Sequence, residues 1–104
     1  MRIGIVRGRL TLSRSVASLK GTRLLVVEPI RAENLGKNND LGGGTPLIVA
    51  DHLAPATGQQ IAFTEGREAA NAYWPANAPV DAYSALIVHS VDFRPPLPKM
   101  DGIR

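Results

Sequence analysis

The sequence predicts an all-β fold: a small barrel of five strands carrying one short helical segment. Three observations predict it. The apolar residues come in short, β-branched runs of strand length. Glycine, proline and asparagine clusters separate those runs. Only one segment, Gly66-Arg67-Glu68-Ala69-Ala70, reads as a helical turn.

The chain is organised around Leu47 to Phe63, where two apolar runs flank a bend of small residues with one proline and one glycine. It reads as strand, tight loop, strand, and the loop suits close backbone approach rather than chemistry. Before it, Met1 to Leu12 alternates with period 2. Val6, Leu10 and Leu12 share one face with Gly4 and Gly8, and Arg7, Arg9 and Thr11 share the other. Ile3 and Ile5 break the rule by falling on the polar face. The glycines suggest strand curvature or close contact. Ser13 to Gly21 is a polar loop. Thr22 to Ile30 is a second strand with Leu24 and Val26 facing one way and Leu25 and Val27 the other, so both of its faces need cover. Pro29 marks the end of that strand or a sheet edge. Arg31 to Thr45 is a long polar loop. Its Gly42-Gly43-Gly44 run lacks the Gly-Lys-Ser/Thr and the helix of a phosphate cradle, and reads as a flexible hairpin loop.

After the helical turn, Tyr73-Trp74-Pro75 pins a loop or offers a stacking platform. Val80 to Phe93 is the last strand, again apolar on both sides through Ala85, Leu86, Ile87 and Val88. Residues 1–93 thus form a barrel domain, and residues 94–104, with Pro95, Pro96 and Pro98, an extended tail. Five strands with one helical segment before the last suggest an OB-like barrel.

Composition narrows the function. The 104 residues make one small domain, which is marginally stable alone. Cysteine is absent, so disulfides and thiolate metal sites are excluded. No apolar run approaches the roughly 18 residues that would cross a bilayer. Met1-Arg2 leads into a strand pattern and not a signal peptide, so a cytoplasmic location is expected. The net charge of +3 is uneven: residues 1–31 hold seven basic side chains and one acid, and the remainder is acidic. That basic third could meet nucleic acid, or the acidic part of a second copy.

The chemistry-bearing residues are scattered. His52 adjoins Asp51, and His89 lies near Asp92, but neither pair has the spacing of a metal site. Ser84, His89 and Asp92 lie on one strand, where a triad cannot converge, and there is no nucleophile elbow. His89 reads as a satisfied strand histidine. The chain is therefore not expected to be an enzyme or to carry a cofactor or metal. The two-faced strands are more informative. One barrel interior absorbs one face, which leaves Ile3, Ile5, Leu25, Val27 and Ile87 over. Each is worth about 1.5–3 kcal/mol when buried, so a subunit interface in an obligate homo-oligomer is expected to cover them.

The order of elements also carries a resemblance. Arg2-Ile3-Gly4-Ile5-Val6-Arg7-Gly8, Gly21 to Glu28, Val49-Ala50-Asp51, Thr57-Gly58, Gly66 and Ala69, Val80-Asp81-Ala82, Ile87-Val88 and Val91-Asp92 together resemble the pentameric vertex proteins of bacterial microcompartments. These are the ethanolamine-utilisation and carboxysome vertex proteins. The resemblance implies an OB-related barrel in a cyclic pentamer that caps the five-fold vertices of a polyhedral shell, beside hexameric and trimeric tiles. It implies no enzyme activity and no cofactor. It places a central loop and pore region at Asp51, Ala54, Pro55, Ala56, Thr57 and Gly58, and contacts with neighbouring tiles at Gly66, Arg67, Glu68 and Ala69. Where the family usually reads Asp-x-x-Gly-Ala-Gly-x-Gly-Glu, this chain keeps Asp51 and Gly58 but has Ala54-Pro55-Ala56 and Gln59, a stiffer and bulkier loop. The alternative is an OB-type module for single-stranded nucleic acid. Such modules carry stacking aromatics on their strands, whereas Tyr73 and Trp74 fall in a loop and Phe63 and Phe93 read as packing residues.

Overall fold

Five strands close into a barrel in the order β1-β2-β3-β5-β4, with β4 returning to β1. The strands are β1 (Arg2–Leu10), β2 (Arg23–Pro29), β3 (Leu47–Asp51), β4 (Gln60–Glu65) and β5 (Ala82–Val88), and one helix, α1 (Arg67–Asn71), lies between the last two. The structure is a computed structural model, and it describes residues 1–12, 17–36, 42–74 and 80–92. All pairings are antiparallel except β3 with β5, which run parallel through Ala50 and Tyr83. The all-β class, the closed barrel and the single short helix agree with the pattern of the sequence. The tail at 94–104, Pro75 to Pro79 and Phe93 lie outside the described residues.

The interior is filled by alternate residues of each strand: Val6, Leu25, Val27, Val49, Ile61, Phe63 and Ala82 form one cluster. Gly4 belongs to this inward row. A β-carbon there would press on Val27 Cγ1 and lie 3.1 Å from both Phe63 Cε1 and the Glu28 carbonyl oxygen. Gly4→Ala is therefore expected to destabilise the fold by about 1–3 kcal/mol through overpacking, measured as a lower urea midpoint.

A second cluster lies outside the barrel wall. Ala50, Ala69 and Val80 pack with Leu19, Leu24, Tyr73 and Tyr83. The short helix thus covers the outward row Leu24–Ala50–Tyr83, which the pairing of β2, β3 and β5 lines up. The Gly42–Gly44 run is not a loose hairpin. The Gly44 N–H donates to the Pro29 carbonyl at 2.9 Å, and Gly43 bridges Ile30. Glu28 Oε2 accepts the Gly43 N–H at 3.2 Å while Oε1 accepts from Arg7 Nε at 2.9 Å. These two donors, the backbone first, hold the Glu28 carboxyl below its usual range.

Two features correct the expected strand faces. The β1–β2 register shifts between Val6 and Gly8, the signature of a bulge. A bulge turns the strand by one residue, so Val6 faces inward opposite Val27 while Leu10, opposite Leu24, faces outward. The alternation that grouped Val6 with Leu10 and Leu12 therefore breaks at Arg7. A second shift, between Ala62 and Phe63 in the β4–β5 pairing, sends Leu86 to the outside opposite Ala62.

Candidate subunit interface and loop region

The five residues expected to cover an interface do not share a surface. Leu25 and Val27 are 0% exposed in the barrel interior, and Ile5, on the opposite face of β1 from Gly4 and Val6, is also 0% exposed within the subunit. For β2 the reason is simple: both faces are apolar, and the face that turned inward is Leu25–Val27 rather than Leu24–Val26. Ile3 is half-buried on the outer wall, whereas Ile87, paired with the interior residue Ile61, belongs to the inner face although it is 39% exposed.

The outward apolar surface divides into two unlike flanks. On one, Leu10 is 42% and Ile48 43% exposed. Ile48 stands opposite Val26, and Leu10 opposite Leu24, so the flank runs across β1, β2 and β3. It continues into a cleft of about 420 Å³ whose rim carries Arg9, Lys20 and Arg23. On the other flank, Ile3, Ala62 and Leu86 form one row across β1, β4 and β5. Leu86 is 45% exposed. The strand order separates the two flanks around the barrel.

The loop from β3 to β4 is tied to itself and to β1. Asp51 is fully buried, and its Oδ2 accepts the Ala54 N–H at 2.7 Å. Gln59 Oε1 accepts the Ala56 N–H at 2.7 Å. The Gly58 N–H donates to the Val6 carbonyl at 2.7 Å, and the Val6 N–H to the Gln59 carbonyl at 2.9 Å. Ala54, Ala56, Thr57 and Gly58 are exposed, but Asp51 and Pro55 are buried. Asp51 and Pro55 therefore shape the loop and do not line an opening. Ala54 has φ 61, a left-handed conformation in a residue with a β-carbon. Ala54→Gly is expected to raise stability by about 0.5 kcal/mol, the left-handed strain relieved less the entropy that glycine adds to the unfolded chain, read as a higher urea midpoint.

Of the helix residues expected to meet neighbouring tiles, Gly66, Arg67 and Glu68 are exposed. Ala69 is 0% exposed and belongs to the outer cluster, because the helix must turn one small residue onto Ala50 and Val80. The Gly66 N–H donates to the Asp81 carbonyl at 2.8 Å, which anchors the helix start beside β5.

A polar cluster went unread in the sequence. Thr22 Oγ1 lies 3.0 Å from both His52 Nε2 and the Tyr73 hydroxyl, and His52 Nδ1 lies 2.9 Å from the Tyr83 hydroxyl. The rings of His52, Tyr73 and Tyr83 meet at 5.6–5.7 Å. Burial raises the Tyr83 phenol above its usual value, with Tyr73 and Asp51 adding to the effect. The cluster clamps α1 to the start of the loop. Its members are 30 or more residues apart in several pairs, so no local pattern announces it. Tyr73 is thus engaged within the subunit, while Trp74 is exposed. Ser84 is buried inside the barrel, whereas His89 and Asp92 are exposed, so these three do not converge. His89 follows β5 instead of lying in it. Among the described residues, no group of three or more His, Asp or Glu could hold a metal.

Solved structures place this barrel among shell proteins. GrpN, a pentameric microcompartment shell protein from Rhodospirillum rubrum, is similar at 25% identity and a TM-score of 0.70, covering 91% of this chain and 100% of that one. CcmL of Gloeobacter violaceus matches at 26% identity and a TM-score of 0.69, covering 89% of this chain and 90% of that one. The ethanolamine utilization protein EutN of Escherichia coli shares the fold at 24% identity and a TM-score of 0.71, covering 89% and 96%. No curated protein sequence matches the chain. The family described as ethanolamine utilisation protein EutN/carboxysome matches residues 1–92, the whole span of the described barrel. The chain belongs to the EutN/carboxysome family.

Proposed function

We propose that this chain is a structural protein of a microcompartment shell, assembling as a cyclic homopentamer that closes the shell's five-fold vertices. Family membership and the likeness to a pentameric shell protein support this reading. The observation that carries it is the pair of unlike apolar flanks, Leu10–Ile48 and Ile3–Ala62–Leu86, on a barrel whose interior is already filled. Two different patches that fit each other make a head-to-tail contact, and such contacts close into a ring when the rotation allows. A patch that fits itself would instead give a two-fold dimer.

The ring has no catalytic or cofactor role. Its partners are further copies of itself and the hexameric and trimeric tiles around it, met through exposed side chains such as Arg67 and Glu68 on α1. The exposed loop atoms at Ala54, Ala56, Thr57 and Gly58 gather near the ring's central opening, and the setting is the bacterial cytoplasm. No helix among the described residues is long and apolar enough to cross a membrane. The nucleic-acid alternative keeps only one exposed ring, Trp74, because the Tyr73 ring is packed against His52 and Tyr83.

Native mass spectrometry at micromolar concentration tests the proposal. A five-fold particle is expected. A monomer or a two-fold dimer as the sole species would overturn it.

A further inference from the structure

Two buried polar atoms inside the barrel have no hydrogen-bond partner, Asp51 Oδ1 and Ser84 Oγ. Both residues are closed to solvent, at 0% and 1% exposure. An unmet buried polar atom forfeits its hydration with nothing in return, and native folds leave few of them. The topology sets these two side by side. β3 and β5 run parallel with Ala50 opposite Tyr83, and both of those residues face outward into the outer cluster. Successive residues of a strand point to opposite faces. The next residue on each strand, Asp51 and Ser84, therefore faces inward, and the two are lateral neighbours. Asp51 Oδ2 is already engaged by the Ala54 N–H.

The geometry points to one buried water held between Asp51 Oδ1 and Ser84 Oγ. A carboxylate oxygen only accepts, a hydroxyl both donates and accepts, and a water can donate to the first while exchanging a hydrogen bond with the second. Buried waters characteristically serve two to four such groups. A divalent cation would call for six or more oxygens, far beyond this pair. The bridge has a consequence for the loop. Asp51 shapes the turn at Ala54, so a water fixing its free oxygen ties the path of residues 52–59 to Ser84 on a different strand. This holds within a single subunit, whether or not the subunit assembles.

An atomic-resolution crystal structure of the full chain, with amide exchange measured at Ala54, tests the bridge. One density peak is expected within about 2.6–3.2 Å of both atoms. Ser84→Ala should keep the peak on Asp51 and speed Ala54 exchange a few-fold. Ser84→Val fills the water's place, so the peak should vanish and exchange quicken about tenfold, the equivalent of one hydrogen bond. Three results would overturn the proposal: a Ser84 hydroxyl bonded directly to Asp51 with no peak, an anomalous signal marking a metal ion at the peak, or Ala54 exchange unchanged in Ser84→Ala. If Ser84→Val does not fold, the wild-type density and Ser84→Ala decide.

Discussion

Leu86→Asp is expected to yield a folded barrel that no longer assembles. In the isolated subunit Leu86 is 45% exposed, so an aspartate there keeps its water and the fold is little changed. In the proposed ring the same carboxylate would be buried against a neighbour without a partner. A lone buried charge costs about 3–5 kcal/mol, and every contact around the ring carries it. Ile48→Asp does the same from the other flank, since Ile48 is 43% exposed and lies across the barrel on β3. Light scattering should find each variant monomeric, with circular dichroism like the parent's. Mixing the two variants gives the sharper result. In a head-to-tail contact one intact flank of each variant still fits the other, so a one-to-one heterodimer should form and stop there. If each flank instead paired with itself, each variant would remain a homodimer and mixing would add nothing.

Leu25→Asp and Val27→Asp should behave in the opposite way and fail to fold. Both side chains are 0% exposed at the centre of the interior cluster, with Val6, Val49, Ile61 and Phe63 around them. A carboxylate there has neither water nor a counter-charge. The cost exceeds about 4–5 kcal/mol, beyond the ordinary range for a single substitution. A whole domain of this kind has only about 5–15 kcal/mol of stability. Circular dichroism and amide dispersion should show an unfolded or insoluble chain. A soluble, folded monomer carrying either substitution would mean that β2 turns its other face inward. Leu25→Ala, a cavity without a charge, should cost about 2–5 kcal/mol and leave a weakened but folded barrel, seen as a lower melting temperature.

The contrast between these variants measures what the sequence could disclose. Short apolar runs located every strand, the last drawn from Val80 to Phe93 where β5 is Ala82–Val88, and the glycine at position 66 marked the start of α1. Those signals are local, because strand propensity and turn chemistry act over a handful of neighbours. The two-faced composition of β2 also called for cover on both sides, and within the subunit Leu25 and Val27 have it while Leu24 packs in the outer cluster. It could not state which side meets the core. Leu24, Leu25, Val26 and Val27 are near-equivalent in volume and hydrophobicity, so the pattern of β2 is symmetric under inversion.

The loop shows the same division. The departure at Ala54-Pro55-Ala56 was legible, but the burial of Asp51 and Pro55 was not. Nor was the clamp of Thr22, His52, Tyr73 and Tyr83, whose members meet only after the barrel closes.

By itself the sequence determined the fold class, the number of strands and their places along the chain, the missing disulfides and the presence of more apolar surface than one interior can hold. Only the tertiary structure decided which apolar residues stay outside. The bulge at Arg7 and the shift at Ala62–Phe63 each move a strand by one residue relative to its neighbour. With a side-chain period of two, one residue exchanges the inner and outer faces, and such a shift is set by partners brought together from distant parts of the chain.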